Sequence, residues 1–226
     1  MKITTDKQYT ASRPELLELI SPDSRKILDV GCADGHLSSF FRDQYNAEVW
    51  GVEISHTMAD KAKNKMDRVL VGPIENFFSA LPDKYFDTII LADILEHLID
   101  PCLVLLKLRG KLTDNGAFVA SIPNVGHWGV IKNLLKGIWR YTDYGLMDSS
   151  HLRWFTRQTI YEMFNSVGLH IKVMSVTLTD YENIPESFLR ACQNIGIDSE
   201  RLKLESQVFQ YLIQAVDLNR IKDHDA

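Results

Sequence analysis

The stretch Ile27-Leu28-Asp29-Val30-Gly31-Cys32-Ala33-Asp34-Gly35-His36 constrains this chain more than any other. An apolar run ends in an acid, a small-residue turn follows, and helical spacing begins. That order reads as a buried strand, a tight loop and a helix start, the phosphate- or nucleotide-binding corner of an open α/β sheet. The next apolar run, residues 47–52, leads into Glu53. A carboxylate at such a strand end can accept hydrogen bonds from both hydroxyls of a ribose. Together the two features predict a site for an adenosine-containing cofactor.

A dinucleotide site needs glycine at the first, third and sixth loop positions, so that backbone can touch a pyrophosphate. Here those positions hold Gly31, Ala33 and His36, which conflicts with an NAD-dependent enzyme. The pattern from Asp29 to Gly35, Asp-x-Gly-x-x-x-Gly, resembles the first motif of class I S-adenosylmethionine-dependent methyltransferases, with Ala33 replacing the usual middle glycine. The resemblance extends over roughly residues 10–178. It implies that the backbone of Gly31, Cys32, Ala33 and Gly35 wraps the methionine part, with Asp29 beneath it near the amino group. It also implies Glu53 and Ile54 at the ribose, Ile74 and Glu75 at the adenine, and Ala92 and Asp93 near the sulfur. Relatives carry an acid where this chain has Pro73, so Glu75 is the substitute acceptor for the adenine amino group.

Strand and helix signals alternate along the chain. A short helix is expected over Arg13 to Ile20, with Pro14 in its first turn. Strands are expected near 26–30, 48–53, 67–71, 86–91, 117–121, 170–177 and 208–217. Between them come a helix packed through Leu37, Phe40 and Phe41, and one capped by Ser55 and running to 66. Another opens at Pro101, ends near Leu112 and is stopped by Asp114-Asn115-Gly116; a fourth is capped by Thr156 and stopped by Gly168. This order argues an α/β fold with a largely parallel sheet covered on both faces. The family resemblance makes it Rossmann-like and seven-stranded, with an antiparallel last strand at Phe209 to Val216. Residues 185–206 look helical. Residues 124–155 form a long connection at the carboxyl edge of the sheet, a natural substrate cover. One domain is expected over 1–226.

The chemistry concentrates past the fourth strand. Asp93, Glu96 and His97 crowd a strand end beside the cofactor crevice, and polar groups in apolar surroundings need a reason. Two later segments, Pro123-Asn124-Val125-Gly126-His127-Trp128 and His151-Leu152-Arg153-Trp154-Phe155-Thr156, add further histidines. The Asp-x-Leu-Glu-His stretch resembles ubiquinone-biosynthesis O-methyltransferases. The later segments resemble methyltransferases associated with methionine biosynthesis or with bacterial cell-surface polysaccharide synthesis. These resemblances imply a small-molecule or saccharide hydroxyl as acceptor. A hydroxyl needs a base of near-neutral pKa, for which His97 and His151 are the candidates and His127 the third, with Asp93 or Glu96 orienting the base. Some relatives instead hold a divalent metal at positions matching Asp93, Glu96, His97 and His151, although they carry Glu where this chain has Asp93. Plain alternatives stand beside each reading: structural hydrogen bonds at Glu96 and His97, a loop tie at His151, packing at His127 and Trp128. The aromatic group Trp128, Trp139, Tyr141, Tyr144, Trp154 and Phe155 is either an acceptor platform or a small core of the cover. An N- or C-methyltransferase, and a non-catalytic partner protein on the same fold, are the remaining alternatives.

Composition narrows the partners. The net charge of −5 and the absence of a strong basic patch argue against a nucleic-acid binder. The densest basic run, Lys61 to Arg68, reads as a solvated helix face. Cys32, Cys102 and Cys192 are far apart and form no disulfide framework, which fits a reducing compartment. Residues 1–6 carry no signal-peptide core, and no apolar run reaches the ~20 residues of a membrane span, so a cytoplasmic location is expected.

Overall fold

Side-chain alternation along the strands divides the apolar residues between two faces of one sheet. Ile27, Val49, Ile90, Val119 and Leu212 feed one core, and their chain neighbours Leu28, Trp50, Ile89, Leu91, Phe118, Ala120, Tyr211 and Ile213 feed the other. A computed structural model describes this arrangement for residues 13–179 and 183–218. Residues 1–6, where no signal-peptide core is expected, lie outside the described residues.

The strands are β1 (Lys26–Val30), β2 (Glu48–Glu53), β3 (Arg68–Val71), β4 (Phe86–Ala92), β5 (Leu112–Pro123), β6 (Leu169–Leu178) and β7 (Val208–Asp217). They form one seven-stranded sheet in the order β3-β2-β1-β4-β5-β7-β6. The pairings from β3 to β5 are parallel, and β7 runs antiparallel to both β5 and β6. The chain winds outward from β1 to β3, then returns to β4. That reversal between β1 and β4 opens a crevice at the carboxyl ends of the strands, where ligands bind in open α/β sheets.

Helices α1 (Pro14–Leu17), α2 (His36–Tyr45) and α3 (His56–Ala62) supply Leu16, Phe41 and Ala62 to the first core. Helices α4 (Pro101–Arg109) and α6 (Arg157–Ser166) supply Val104, Leu105, Leu108, Ile160, Met163 and Phe164 to the second. The caps are local. The Ser55 hydroxyl accepts from Met58 N at 3.4 Å, the Asp100 carboxylate from Leu103 N at 2.9 Å, and Thr156 and Thr159 form a reciprocal capping box.

Several boundaries differ from the sequence reading. Helix α1 ends at Leu17 and α3 at Ala62, each earlier than expected. Helix α4 ends at Arg109, and Leu112 already pairs with Phe86. Asp114-Asn115-Gly116, expected as a helix stop and turn, lies within β5 as a bulge: the register passes from Phe86↔Leu112 to Thr88↔Ala117. Phe40 was expected to pack on the sheet but is 40% exposed, while Phe41 is buried. The expected cover contains a helix, α5 (Trp128–Leu135), and the segment after β6 folds into α7 (Glu186–Asn194) and α8 (Ser199–Gln207). Trp128 of α5 packs with Ile184 and Leu189 in a small third core, so α7 and α8 brace the cover.

Candidate active site

The β1–α2 turn is held open by three left-handed residues, Gly31 (φ 74°), Ala33 (φ 48°) and Gly35 (φ 77°). At Gly31 the backbone angle demands glycine, and a Cβ there would stand 2.0 Å from Ile94 Cδ1, so the end of that side chain would have to move. The turn is tied to the neighbouring strand: Gly31 N donates to Val52 O at 2.7 Å and Cys32 N to the same oxygen at 3.2 Å. Glu53 closes the corner. Its Oε2 accepts from Ala33 N at 2.9 Å and its Oε1 from Ser55 N at 2.7 Å. A carboxylate oxygen has two acceptor directions, so Glu53 keeps capacity for a ligand hydroxyl.

Asp29 lies under this turn, 2% exposed. Burial pushes its carboxyl up to about 7; the nearby Ser38 hydroxyl opposes that, in a geometry looser than a formed hydrogen bond, and Glu53 adds to the rise. A buried acid of this kind is primed for a cationic partner. Asp34, on the same loop, is held by Lys65 Nζ at 2.6 Å. Ile54 is exposed beyond Glu53. Ile74 is buried in the second core, on a 3-10 turn spanning Ile74–Asn76, and Glu75 stands exposed beside it.

The tip of β4 is built from side chains. Asp93 follows Ala92 in a left-handed conformation, φ 54°. Its backbone N–H donates to Ser121 Oγ at 3.0 Å, and its Oδ1 accepts from Ser121 Oγ and Gln210 Nε2, both at 2.7 Å. Its Oδ2 is paired with Arg13 Nη1, and Arg13 Nη2 donates to Gln210 Oε1 at 3.1 Å. Asp93 is thus tied to β5, β7 and the chain before α1.

Three other groups converge. One ligand atom from each of Glu96, His97 and His151 lies within 4.8 Å of the others. Asp93 stands outside this set, so three of the four positions in the metal alternative come together. The His97 and His151 rings meet edge to face with centroids 4.9 Å apart. His97 Nδ1 lies 3.2 Å from Ser150 O, and His151 Nδ1 3.2 Å from Leu146 O. A carbonyl only accepts, so both Nδ1 atoms carry a proton, and in a neutral ring so bonded the lone pair lies on Nε2. Burial, then the neighbouring His97, lowers the His151 pKa, which favours the neutral base. Glu96 is 1% exposed and its Oε2 has no hydrogen-bond partner. Burial, then the charge of Asp93, raises its pKa well above the usual carboxylate range. The cover is pinned here by backbone: Leu152 N and Arg153 N donate to Glu96 O at 2.8 and 3.0 Å.

His127 is placed differently. Its Nδ1 accepts from Gly129 N at 3.1 Å, capping α5, and its Nε2 lies 3.1 Å from Thr179 Oγ1, so both ring nitrogens are used structurally. Asn124 is also scaffolding: its Nδ2 donates to Glu205 O and Val208 O, both at 2.9 Å, tying the cover to α8 and β7. The aromatic group divides. Trp128 lies in the third core and Phe155 in the second. Trp139 and Tyr141 contact Trp154 at 5.6 and 6.2 Å, and Tyr144 is exposed. Sequence reasoning missed Arg13, Ser121 and Gln210. No local motif marks them, since they meet Asp93 from 80, 28 and 117 residues away.

A doubly wound sheet with an Asp-x-Gly-x-x-x-Gly turn after β1 and an acid at the end of β2 defines a class I S-adenosylmethionine-dependent methyltransferase. The sequence pattern of the methyltransferase domain family matches residues 3–172, and the chain belongs to that family. It is 26% identical over 192 residues to the ubiquinone biosynthesis O-methyltransferase of Histophilus somni, covering 76% of this chain and 79% of that protein. It is 30% identical over 114 residues to the mitochondrial ubiquinone biosynthesis O-methyltransferase of Candida albicans, covering 47% of this chain but only 35% of that protein. The fold matches that of an S-adenosylmethionine-dependent methyltransferase from Archaeoglobus fulgidus with a TM-score of 0.59 at 20% identity, covering 86% of each chain. The protein is therefore an enzyme with S-adenosylmethionine as its cofactor. Among the described residues, no helix is long and apolar enough to cross a membrane.

Proposed function

We propose that the protein moves the methyl group of S-adenosylmethionine to an oxygen of a small-molecule or saccharide acceptor. The observation that carries this reading is the convergence of Glu96, His97 and His151 beside the crevice between β1 and β4. Two imidazole lone pairs and a buried carboxyl are more than methyl transfer to an unprotonated amine requires, and they suit removal of a hydroxyl proton. The O-methyltransferase relatives support the same choice.

In this reading Asp29 receives the amino group of the methionine part, and the backbone of Gly31, Cys32, Ala33 and Gly35 encloses it. Glu53 and Ile54 take the ribose, Ile74 and Glu75 border the adenine, and Ala92 lies near the sulfur. The acceptor oxygen bonds to the methyl carbon as the carbon–sulfur bond breaks. The sulfonium becomes a neutral thioether, and the hydroxyl proton passes to Nε2 of His97 or His151. Alignment of the three centres supplies much of the rate. Asp93 is a positioning residue that fixes the β4 tip through Ser121, Gln210 and Arg13. The described part reads as one domain, and its three free cysteines suit a reducing cytoplasm.

A second reading is favoured by the orphaned Glu96 Oε2. Glu96, His97 and His151 fit a divalent cation, which would satisfy that atom and lower the pKa of an acceptor hydroxyl. Turnover on hydroxyl acceptors, measured with and without a chelator, tests both. Activity abolished by chelation and restored by one divalent metal selects the second reading. Activity indifferent to chelation selects the histidine base. Turnover restricted to amine acceptors overturns both.

A further inference from the structure

The loop between α5 and α6 turns largely toward solvent, with residues 141–144, 149 and 150 exposed. Asp148, in its midst, is only 7% exposed. A carboxylate taken out of water needs hydrogen bonds in return. Its Oδ1 accepts from Ser150 N at 2.8 Å and from Ser150 Oγ at 2.6 Å. Its backbone N–H donates to Gly145 O, and its carbonyl accepts from His151 N, both at 3.1 Å. Asp148 therefore holds the stretch from Gly145 to His151 from its centre. The carbonyls that face the two imidazoles come from this same stretch. Leu146 O lies 3.2 Å from His151 Nδ1, and Ser150 O lies 3.2 Å from His97 Nδ1. The carboxylate of Asp93 is bonded to Ser121, Gln210 and Arg13 instead, and Glu96 Oε2 has no partner.

We propose that Asp148 is the positioning residue for both histidines, acting through the carbonyls of Leu146 and Ser150. The role rests on the reading of His97 or His151 as the base that takes the acceptor proton. A neutral imidazole has two forms, and the hydrogen bond at one nitrogen decides which is held. The Asp148 carboxylate fixes Ser150 by an Asx bond to its N–H and a second bond to its hydroxyl. With Ser150 held, His151 N reaches Asp148 O. That N–H belongs to the same peptide unit as Ser150 O, so the bond aims this carbonyl at His97. On the other side, the bond from Asp148 N to Gly145 O closes a four-residue turn with Leu146 inside it, which aims Leu146 O at His151. One buried carboxylate thus sets the Nδ1–H form of two rings without touching either. A misaimed base loses rate steeply, because proton transfer depends on alignment.

The test reads the ring nitrogens directly. Long-range nitrogen–proton NMR spectra of the isotope-labelled whole chain at about pH 8 distinguish the two neutral forms. The signals of His97 and His151 are assigned by their loss in His97→Gln and His151→Gln. Wild type is expected to hold the Nδ1–H form at both rings. Asp148→Ala is expected to move at least one ring toward the Nε2–H form, with circular dichroism unchanged. Its kcat on hydroxyl acceptors should fall about tenfold or more, while affinity for S-adenosylhomocysteine stays within about twofold. Asp148→Asn keeps an acceptor oxygen for Ser150 and is expected to recover the Nδ1–H form and most of the rate. Ser150→Ala, a milder change that removes one of the two bonds to the carboxylate, is expected to move the same ring to a smaller extent. Rings unchanged in both Asp148→Ala and Ser150→Ala would overturn the proposal, as would a loss that Asp148→Asn does not recover. If the rings respond as expected but wild type has no turnover on hydroxyl acceptors, the positioning by Asp148 stands and the reading of the histidines as base fails.

Discussion

The corner proposed for the methyl donor and the corner proposed for the acceptor are built by different means. The donor corner uses backbone: three left-handed residues, amide ties to β2, and a Glu53 carboxylate that bridges the turn to the start of α3. Its residues come from two adjacent strands and the loops that follow them. The acceptor corner uses side chains, with Glu96 and His97 from a turn after β4 and His151 from the cover. A backbone cradle is encoded by a short motif, because left-handed angles and missing side chains are local properties. A convergent side-chain cluster exists only once two distant segments have folded against each other.

If that contrast is right, changes at the acceptor corner reduce turnover and leave donor binding intact. His97→Ala and His151→Ala are expected to lower kcat about 10²–10⁴-fold, with calorimetric affinity for S-adenosylhomocysteine within about twofold of wild type. Matching losses in both quantities would erase the distinction between the corners.

The donor corner is expected to respond through stability as well. Asp29 titrates near 3.8 when exposed and at about 7 in the fold. Between those values the folded state holds its proton more tightly than the unfolded chain, so this group's contribution to stability falls as pH rises through that window. Above the window the penalty is about 4 kcal/mol. Asp29→Asn removes it. The variant is expected to be more stable than wild type at about pH 8 and little changed at about pH 4 in denaturant unfolding, while affinity for S-adenosylhomocysteine drops at least tenfold. An equal stability change at both pH values would show that charge burial is not the cause.

Gly31→Ala tests the cradle directly. The left-handed angle should cost about 1–2 kcal/mol, read as a lower Tm with a parallel loss of donor affinity as the Ile94 side chain is displaced. The smallest expected effect is at Ala33, which holds φ 48° with a side chain present. Ala33→Gly is expected to change stability by about 1 kcal/mol or less, relief of the left-handed strain being offset by a more flexible unfolded chain. A large loss would mean that the methyl group packs against something the turn depends on.

Much of the fold was legible because its signals are periodic or local. Strands β1, β2 and β4 carry apolar runs, Ser55 and Thr156 cap as their side chains allow, and Gly168 stops α6 with a left-handed angle. Where the reading failed, a tertiary contact overrode a local signal. Asp114-Asn115-Gly116 has turn chemistry, but pairing with β4 draws it into β5 as a bulge. Phe40 has the helical spacing of a core residue, but Phe41 takes the inward position. The segment from Asn124 to Trp128, by contrast, follows the packing alternative read for His127 and Trp128: it ties, caps and anchors the cover.

By itself the sequence determined the alternation of elements, the corner at Asp29 to Gly35 and the acid at Glu53, because strand period, turn angle and spacing are written within a few residues. The resemblance had already grouped Glu96, His97 and His151, and only the tertiary structure decided that Asp93 leaves them to pair with Arg13 and Gln210. Those are choices among partners up to 117 residues apart. They depend on which strands lie adjacent and on where the cover is pinned, and no short stretch of chain carries that information.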